Sequence, residues 1–209
     1  MSLEEKNIDK PRTKPAEVRL EELMNAAETL FLEKGFDATT VSDIVKQAGV
    51  AKGTYYHYFT AKTDILDALR TRYMDWYIDK IEQAMASCQI QDFRAKLKQW
   101  CETSVIAYVE KQELHDMLFH QVFHQSGNIH ENRALQQLQK ILMGGTENKT
   151  WQVLQPELTC TLIYHGMHAA VDNLEHSTEY TSQTLGALLY RIYTIIKLTR
   201  LLNNEYSGC

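Results

Sequence analysis

Between residues 47 and 62 the chain reads QAGVAKGTYYHYFTAK: three tyrosines, a histidine, two lysines and two glycines, with almost nothing apolar enough to be core. Hydrogen-bonding and cationic groups on rigid or short stems suit the reading of a nucleic acid better than the breaking of bonds. If residues 52–59 form a helix turning about 100° per residue, Tyr55 and Phe59 fall together on one side. Gly53, Thr54, His57 and Tyr58 then spread over the opposite arc. Gly53 has no side chain to hold the backbone away from a duplex, and Thr54 suits a base edge or a thymine methyl. The phenols of Tyr56 and Tyr58 and the imidazole of His57 suit phosphate oxygens. Lys52 and Lys62 add positive charge at two helix starts, where free N–H groups also favour anions.

Other residues could do different chemistry. His120 and His124 are four apart, and His165 and His168 three apart, spacings that place each pair on one helical face as metal ligands require, with Asp116 and Asp172 nearby. No thiol joins them. Cys88, Cys101, Cys160 and Cys209 lie far apart without a CxxC, which is wrong for a zinc knuckle or a redox dithiol. No metal or other cofactor is therefore expected, and a metal-responsive protein is the alternative that the histidines keep open. Trp100, Tyr108, Phe119, Phe123 and Tyr164 could line a cavity with polar tips, the pattern of a small-molecule site. No GxSxG, P-loop or HExxH is present, so the chain is not expected to be an enzyme.

The elements that must hold these groups are helices. Leu20, Leu23, Ala27, Leu30 and Phe31 recur at helical spacing up to Lys34-Gly35-Phe36, where the glycine suits a left-handed helix end. Thr40 opens T-V-S-D, a capping box in which its hydroxyl accepts from the Asp43 N–H while the carboxylate reaches back. A short helix then carries Val41, Ile44, Val45 and Ala48 to Gly49. After Gly49-Val50-Ala51 comes the helix of the opening stretch, and Thr60 is placed to cap a long helix containing Ile65, Leu66, Leu69, Tyr73, Trp76, Tyr77, Ile78 and Ile81. Residues 92–112, 114–125, 129–143, 157–176 and 182–203 each keep helical periodicity, with breaks such as Ser126-Gly127-Asn128 and Gly144-Gly145-Thr146. No alternating run persists, so the fold class is all-α. The expected organisation is a flexible tail over 1–14, whose Lys10, Arg12 and Lys14 could touch phosphates, a three-helix unit over 15–62, and a helical body over 63–209.

Two short helices joined by a three-residue turn have the form of a helix-turn-helix, here over residues 40–59, whose second helix enters the DNA major groove. Residues 17–77 resemble the DNA-binding domain of the TetR family of bacterial transcriptional regulators. The carrying stretch is AAETLFLEKGFDATTVSDIVKQAGVAKGTYYHYFTAK. The resemblance implies a palindromic double-stranded DNA operator, a homodimer, and repression relieved by a small molecule bound in the body. It places Thr40 on a phosphate, Lys52, Gly53, Thr54 and His57 at or near bases, and Tyr56, Tyr58 and Lys62 on phosphates. Two departures stand out. Ala51 replaces a frequent serine and leaves a cap missing, and Tyr55 replaces a usual leucine.

A lone half-site reader binds weakly, so a dimer is also expected on physical grounds. Leu185, Leu188, Leu189, Ile192, Ile195, Ile196, Thr199 and Leu202 form an apolar stripe, and Gly166, Ala169 and Ala170 permit close approach. The expected interface is residues 157–176 with 182–203. A net charge of −5, spread without strong polarity along the chain, identifies no partner by itself. With no signal-peptide pattern and no run of about 20 apolar residues, a cytoplasmic protein that does not enter the membrane is expected. A helical interaction protein with a vestigial reading head remains the other alternative.

Overall fold

The computed structural model describes residues 15–119, 129–153, 155–174 and 181–202, with the backbone alone for 129–132, 173–174 and 193–202. Every regular element among them is a helix: α1 (Ala16–Lys34), α2 (Val41–Ala48), α3 (Lys52–Tyr58), α4 (Lys62–Met85), α5 (Phe93–Glu110), α6 (Gln112–Phe119), α7 (Ile129–Glu147), α8 (Pro156–Leu174) and α9 (Ser182–Leu202). None of the described helices is long and apolar enough to cross a membrane. The 1–14 tail with Lys10, Arg12 and Lys14, the break at 126–128, Phe123, His120 and His124 lie outside the described residues, as do the side chains of Ile195, Ile196, Thr199 and Leu202.

The chain divides into two compact units, Met1–Leu69 and Arg70–Cys209. The division falls inside α4 rather than at residue 62, because the first turns of that helix are tied into the first unit. The Tyr55 hydroxyl donates to the Ala61 carbonyl, and the Lys62 ammonium donates to the carbonyls of Phe36 and Thr39.

In the first unit α1 buries Leu23, Ala27, Leu30 and Phe31, and Phe36 folds back to meet Phe31 edge-on at 5.2 Å. Gly35 has the positive φ that its sequence context requires, 84°, but with ψ 161° it leaves the helix in an extended conformation instead of the left-handed one expected. Thr39 explains the difference: its buried hydroxyl donates to the Gly35 carbonyl at 2.8 Å, satisfying a group that a left-handed cap would have turned elsewhere. Gly49, by contrast, is left-handed (φ 66°, ψ 30°) and gives its N–H to the end of α2.

In the second unit α9 lies mainly against α5. Gly186 makes that approach possible, since a Cβ there would stand 2.7 Å from the Cα of Glu102. The stripe read along α9 therefore divides between two jobs. Leu185 and Leu189 are buried within the chain, while Leu188 and Ile192 stay exposed, as do Leu158 and Leu162 of α8.

Gly144 and Gly145 do not break a helix. They lie inside α7, where a Cβ at Gly145 would stand 2.2 Å from the Trp151 ring and one at Gly144 would stand 2.3 Å from the Phe93 ring. Trp151 folds back over α7 and donates its indole N–H to the Leu142 carbonyl at 2.8 Å. The pair gives up helix propensity so that two aromatic rings can lie on the backbone. Overpacking costs about 1–3 kcal/mol, more than the 0.5–1 kcal/mol or so regained from helix propensity. Gly145→Ala is thus expected to lower stability by about 1–2 kcal/mol in urea unfolding, and Gly144→Ala by less, because the half-buried Phe93 ring can swing aside.

Candidate functional site

Helix α3 has only seven residues, and one of its faces is used to hold it. Tyr55 is fully buried and Phe59 nearly so, their ring centroids 5.5 Å apart, as the helical wheel requires. Burial pushes the Tyr55 phenol up to about 12, with the Asp64 carboxylate adding to the effect. No side chain caps the helix at Ala51, the departure noted in the sequence.

The other face is open. Lys52, Gly53, Tyr56 and His57 are exposed, and Thr54 is half-buried beside them. The Tyr56 ring stands on edge to Tyr55 at 5.5 Å and holds its hydroxyl outward. Gly53 is the informative residue. Its φ is ordinary, and a Cβ added there would meet nothing within 4 Å, so nothing in the chain's own fold requires a glycine.

Three residues expected on phosphates have other employment. The Lys62 ammonium is directed at the carbonyls of Phe36, Asp37 and Thr39 at 2.6, 3.4 and 2.8 Å, and lies 4.1 Å above the Phe36 ring. An ammonium has three donors, and these three carbonyls take them, so Lys62 braces the turn that follows α1. The Tyr58 hydroxyl gives its only proton to the Ala16 carbonyl at 2.9 Å, pinning the start of α1 to the end of α3. Thr40 completes the expected capping box: it accepts from the Asp43 N–H at 3.1 Å, and Asp43 accepts from its N–H at 2.9 Å and its hydroxyl at 2.8 Å. Lys34, 2.8 Å away, and then Thr40 hold the Asp43 carboxyl well below the usual carboxylate range. With the Thr40 proton committed, what α2 can offer an anion is the N–H groups of Val41 and Ser42 in its first turn.

At the start of α4 two backbone N–H groups are already taken by an acidic side chain. Asp64 accepts from the N–H of Thr60 at 2.7 Å and of Ala61 at 3.0 Å, which also lowers its pKa. It is Asp64 reaching back, not the Thr60 side chain, that closes this helix end.

In the second unit Tyr73, Met74, Tyr77, Tyr108, His115, Phe119, Tyr164 and His168 line a cavity of about 280 Å³ with its mouth included. Tyr108, Phe119 and Tyr164, read as candidates from the sequence, thus share one wall. Trp100 does not join them. It is fully buried and donates its indole N–H to Gln137 at 3.1 Å, as part of the contact of α5 with α7. The cavity wall contains residues that sequence reading passed over or took for ordinary core, above all His115, whose ring lies 4.4 Å from Tyr108 and 5.1 Å from His168. The histidines of α8 part company, with His165 exposed and His168 half-buried against Tyr108 at 4.9 Å. Among the described residues no group of three His, Cys, Asp or Glu side chains is placed to hold a metal ion.

The polar groups of this cavity are unevenly satisfied. The Tyr108 hydroxyl donates to Asp172 at 2.8 Å and stands 3.3 Å from Asp116, which also lies 3.3 Å from Nδ1 of His115. Burial first, then the bond to Asp172, raises the Tyr108 pKa. Tyr73 and Tyr77 are almost entirely buried; the Tyr73 hydroxyl has no hydrogen-bond partner among the described residues, whereas that of Tyr77 lies beside the Ser104 hydroxyl. Burial raises both pKa values, and Ser104 holds that of Tyr77 partly back.

Residues 23–69 match the family described as bacterial regulatory proteins, tetR family. The HTH-type transcriptional repressor KstR2 of Rhodococcus jostii is 38% identical over 86 residues, 41% of this chain and 41% of that protein. KstR2 of Mycolicibacterium smegmatis is 34% identical over 67 residues, 32% of this chain and 33% of that protein. The chain thus spans well under half the length of these curated relatives. Solved structures match more of it. The fatty acid degradation regulator FadR from Bacillus halodurans superimposes with a TM-score of 0.67 at 26% identity, covering 87% of this chain and 95% of that one. FadR from Bacillus subtilis, in complex with stearoyl-CoA, gives 0.68 at 23% identity, covering 82% and 96%.

The two lysines of the opening stretch should separate cleanly in stability. Lys62→Ala removes charged hydrogen bonds from partly buried carbonyls and is expected to lower unfolding free energy by about 1–2 kcal/mol. Lys52→Ala should leave it within about 0.5 kcal/mol, both read by urea unfolding at neutral pH.

Proposed function

Because this chain belongs to the tetR family of bacterial regulatory proteins, we propose that it binds operator DNA through the open face of α3 and represses transcription until a small molecule occupies the cavity of the second unit. The observation that carries the DNA half is Gly53. A glycine that the fold does not need, on an exposed face flanked by Lys52, Thr54 and His57, is explained by something outside the chain that must come close. In this reading Lys52, Gly53, Thr54 and His57 meet base edges, while Tyr56 and the first N–H groups of α2 meet phosphates. Thr40 contributes by shaping that helix end. Lys62 and Tyr58 hold α3 in position without touching DNA.

The dimer that a palindromic operator calls for is assigned to α8 and α9, whose exposed Leu158, Leu162, Leu188 and Ile192 give an apolar surface on the second unit. Release follows if the ligand prefers one conformation of the chain over another. Tyr73, Met74 and Tyr77 line the cavity and sit on α4, the helix whose first turns carry Lys62 and Asp64, so a ligand that moves them acts on the support of the reading head.

Gel shift with DNA from upstream of the protein's own gene tests the proposal. Gly53→Ala should weaken binding at least about tenfold while leaving thermal stability unchanged or slightly raised. Thr54→Ala or His57→Ala should alter which operator bases are preferred, at about 1–3 kcal/mol per lost base contact, whereas Tyr56→Phe should weaken all sequences alike. A fragment cut to one half-site should bind far more weakly. Absence of any shift at low salt, or a Gly53→Ala protein that binds like the parent, would remove the basis of the reading.

A further inference from the structure

Resting on the reading of DNA by the open face of α3, we infer that this helix recognises each operator half-site through the acceptor edge of guanine and the methyl-bearing edge of thymine, and reads neither adenine nor cytosine directly. The first observation is which groups are free to act. Lys52, Tyr56 and His57 are exposed and Thr54 is half-buried, and none of these side chains has a hydrogen-bond or ion-pair partner among the described residues.

The second observation is what that face lacks. From Ala51 to Thr60 there is no Asp, Glu, Asn or Gln. The helix therefore offers no carboxylate to accept from the N4 amino group of cytosine and no amide to give and take with N6 and N7 of adenine. The flanking carboxylates are occupied, Asp43 by the N–H of Thr40 and Asp64 by those of Thr60 and Ala61. The exposed amide of Gln47 belongs to α2 and not to the reading helix.

What remains is a set of donors and one methyl group. The Lys52 ammonium donates and cannot accept, which matches guanine, whose O6 and N7 are both acceptors on the major-groove edge. Thymine presents an acceptor, O4, beside its C5 methyl, and the methyl of Thr54 suits the second of these. The His57 ring can donate to either base. Between Lys52 and Thr54, Gly53 adds no bulk, so the backbone can come close enough for these short side chains to reach. Spacing sets the extent: residues 52 to 57 rise about 7.5 Å along a helix, a little over two base-pair steps of about 3.4 Å. A helix lying along the groove thus brings Lys52, Thr54 and His57 to about three successive pairs.

The test is to select duplexes bound by the full chain from a random-sequence pool, then to measure binding of the enriched duplex carrying one base analogue per half-site. 7-Deazaguanine, which lacks the N7 acceptor, should weaken binding about fivefold or more at one position. Hypoxanthine there keeps the major-groove edge of guanine and should change binding by less than about twofold. Uracil in place of a neighbouring thymine, one methyl fewer, should cost about fourfold. Lys52→Ala should bind the parent duplex about tenfold more weakly and no longer respond to 7-deazaguanine. Thr54→Ser, which keeps the hydroxyl and loses the methyl, should no longer respond to uracil. Either variant still sensitive to its analogue, or a greater loss from 7-deazaadenine than from 7-deazaguanine, overturns the base assignment and leaves the reading of DNA by α3 standing. A pool that yields no enriched duplex removes both.

Discussion

A seven-residue helix cannot hold itself together in water, where helices shorter than about 12–15 residues are marginal, so α3 exists only because its surroundings hold it. Tyr55 is the centre of that support. Its ring fills the interior beside Phe59 and its hydroxyl reaches the Ala61 carbonyl at the start of α4. Around it, Tyr58 fastens the end of α3 to the start of α1, and Lys62 gathers the carbonyls that follow Phe36. The phenols of Tyr55 and Tyr58 are both committed to this work. The uncommitted groups face outward, and that division of labour is what the proposed reading of DNA by the short helix rests on.

The second unit follows the opposite logic. Its core is well satisfied at Trp100 and Trp151, whose indole N–H groups both find oxygen acceptors. In the cavity wall the buried Tyr73 hydroxyl is without a partner among the described residues. A buried hydroxyl without a partner costs stability, and the Tyr108 phenol has one proton for the two carboxylates within its reach. The first unit thus carries uncommitted polar groups on its surface, and the second carries one in its interior.

Local signals carried the sequence reading furthest. The capping box at Thr40, the helix end at Gly49 and the anchoring pair of Tyr55 and Phe59 depend on neighbours within a few positions, and each is present as read. Long-range partners could not be seen. That Lys62 would turn toward carbonyls some 25 residues earlier, or Tyr58 toward one 42 residues earlier, is a matter of tertiary geometry that residue type cannot reveal. Gly144 and Gly145 misled for the same reason, since paired glycines signal a break unless an aromatic ring from elsewhere needs the space. Trp100 and His115 exchanged places: the larger aromatic proved to be core, and the unremarked histidine proved to be cavity wall.

The central claim, that the outward face of α3 lies against DNA while its inner face holds the fold, can be read residue by residue from hydroxyl-radical footprinting of the full chain, free and saturated with an upstream DNA fragment. Tyr56 and His57 should become strongly protected in the complex, with Tyr55 and Tyr58 little changed. Equal reactivity of Tyr56 and His57 with and without bound DNA would contradict the account.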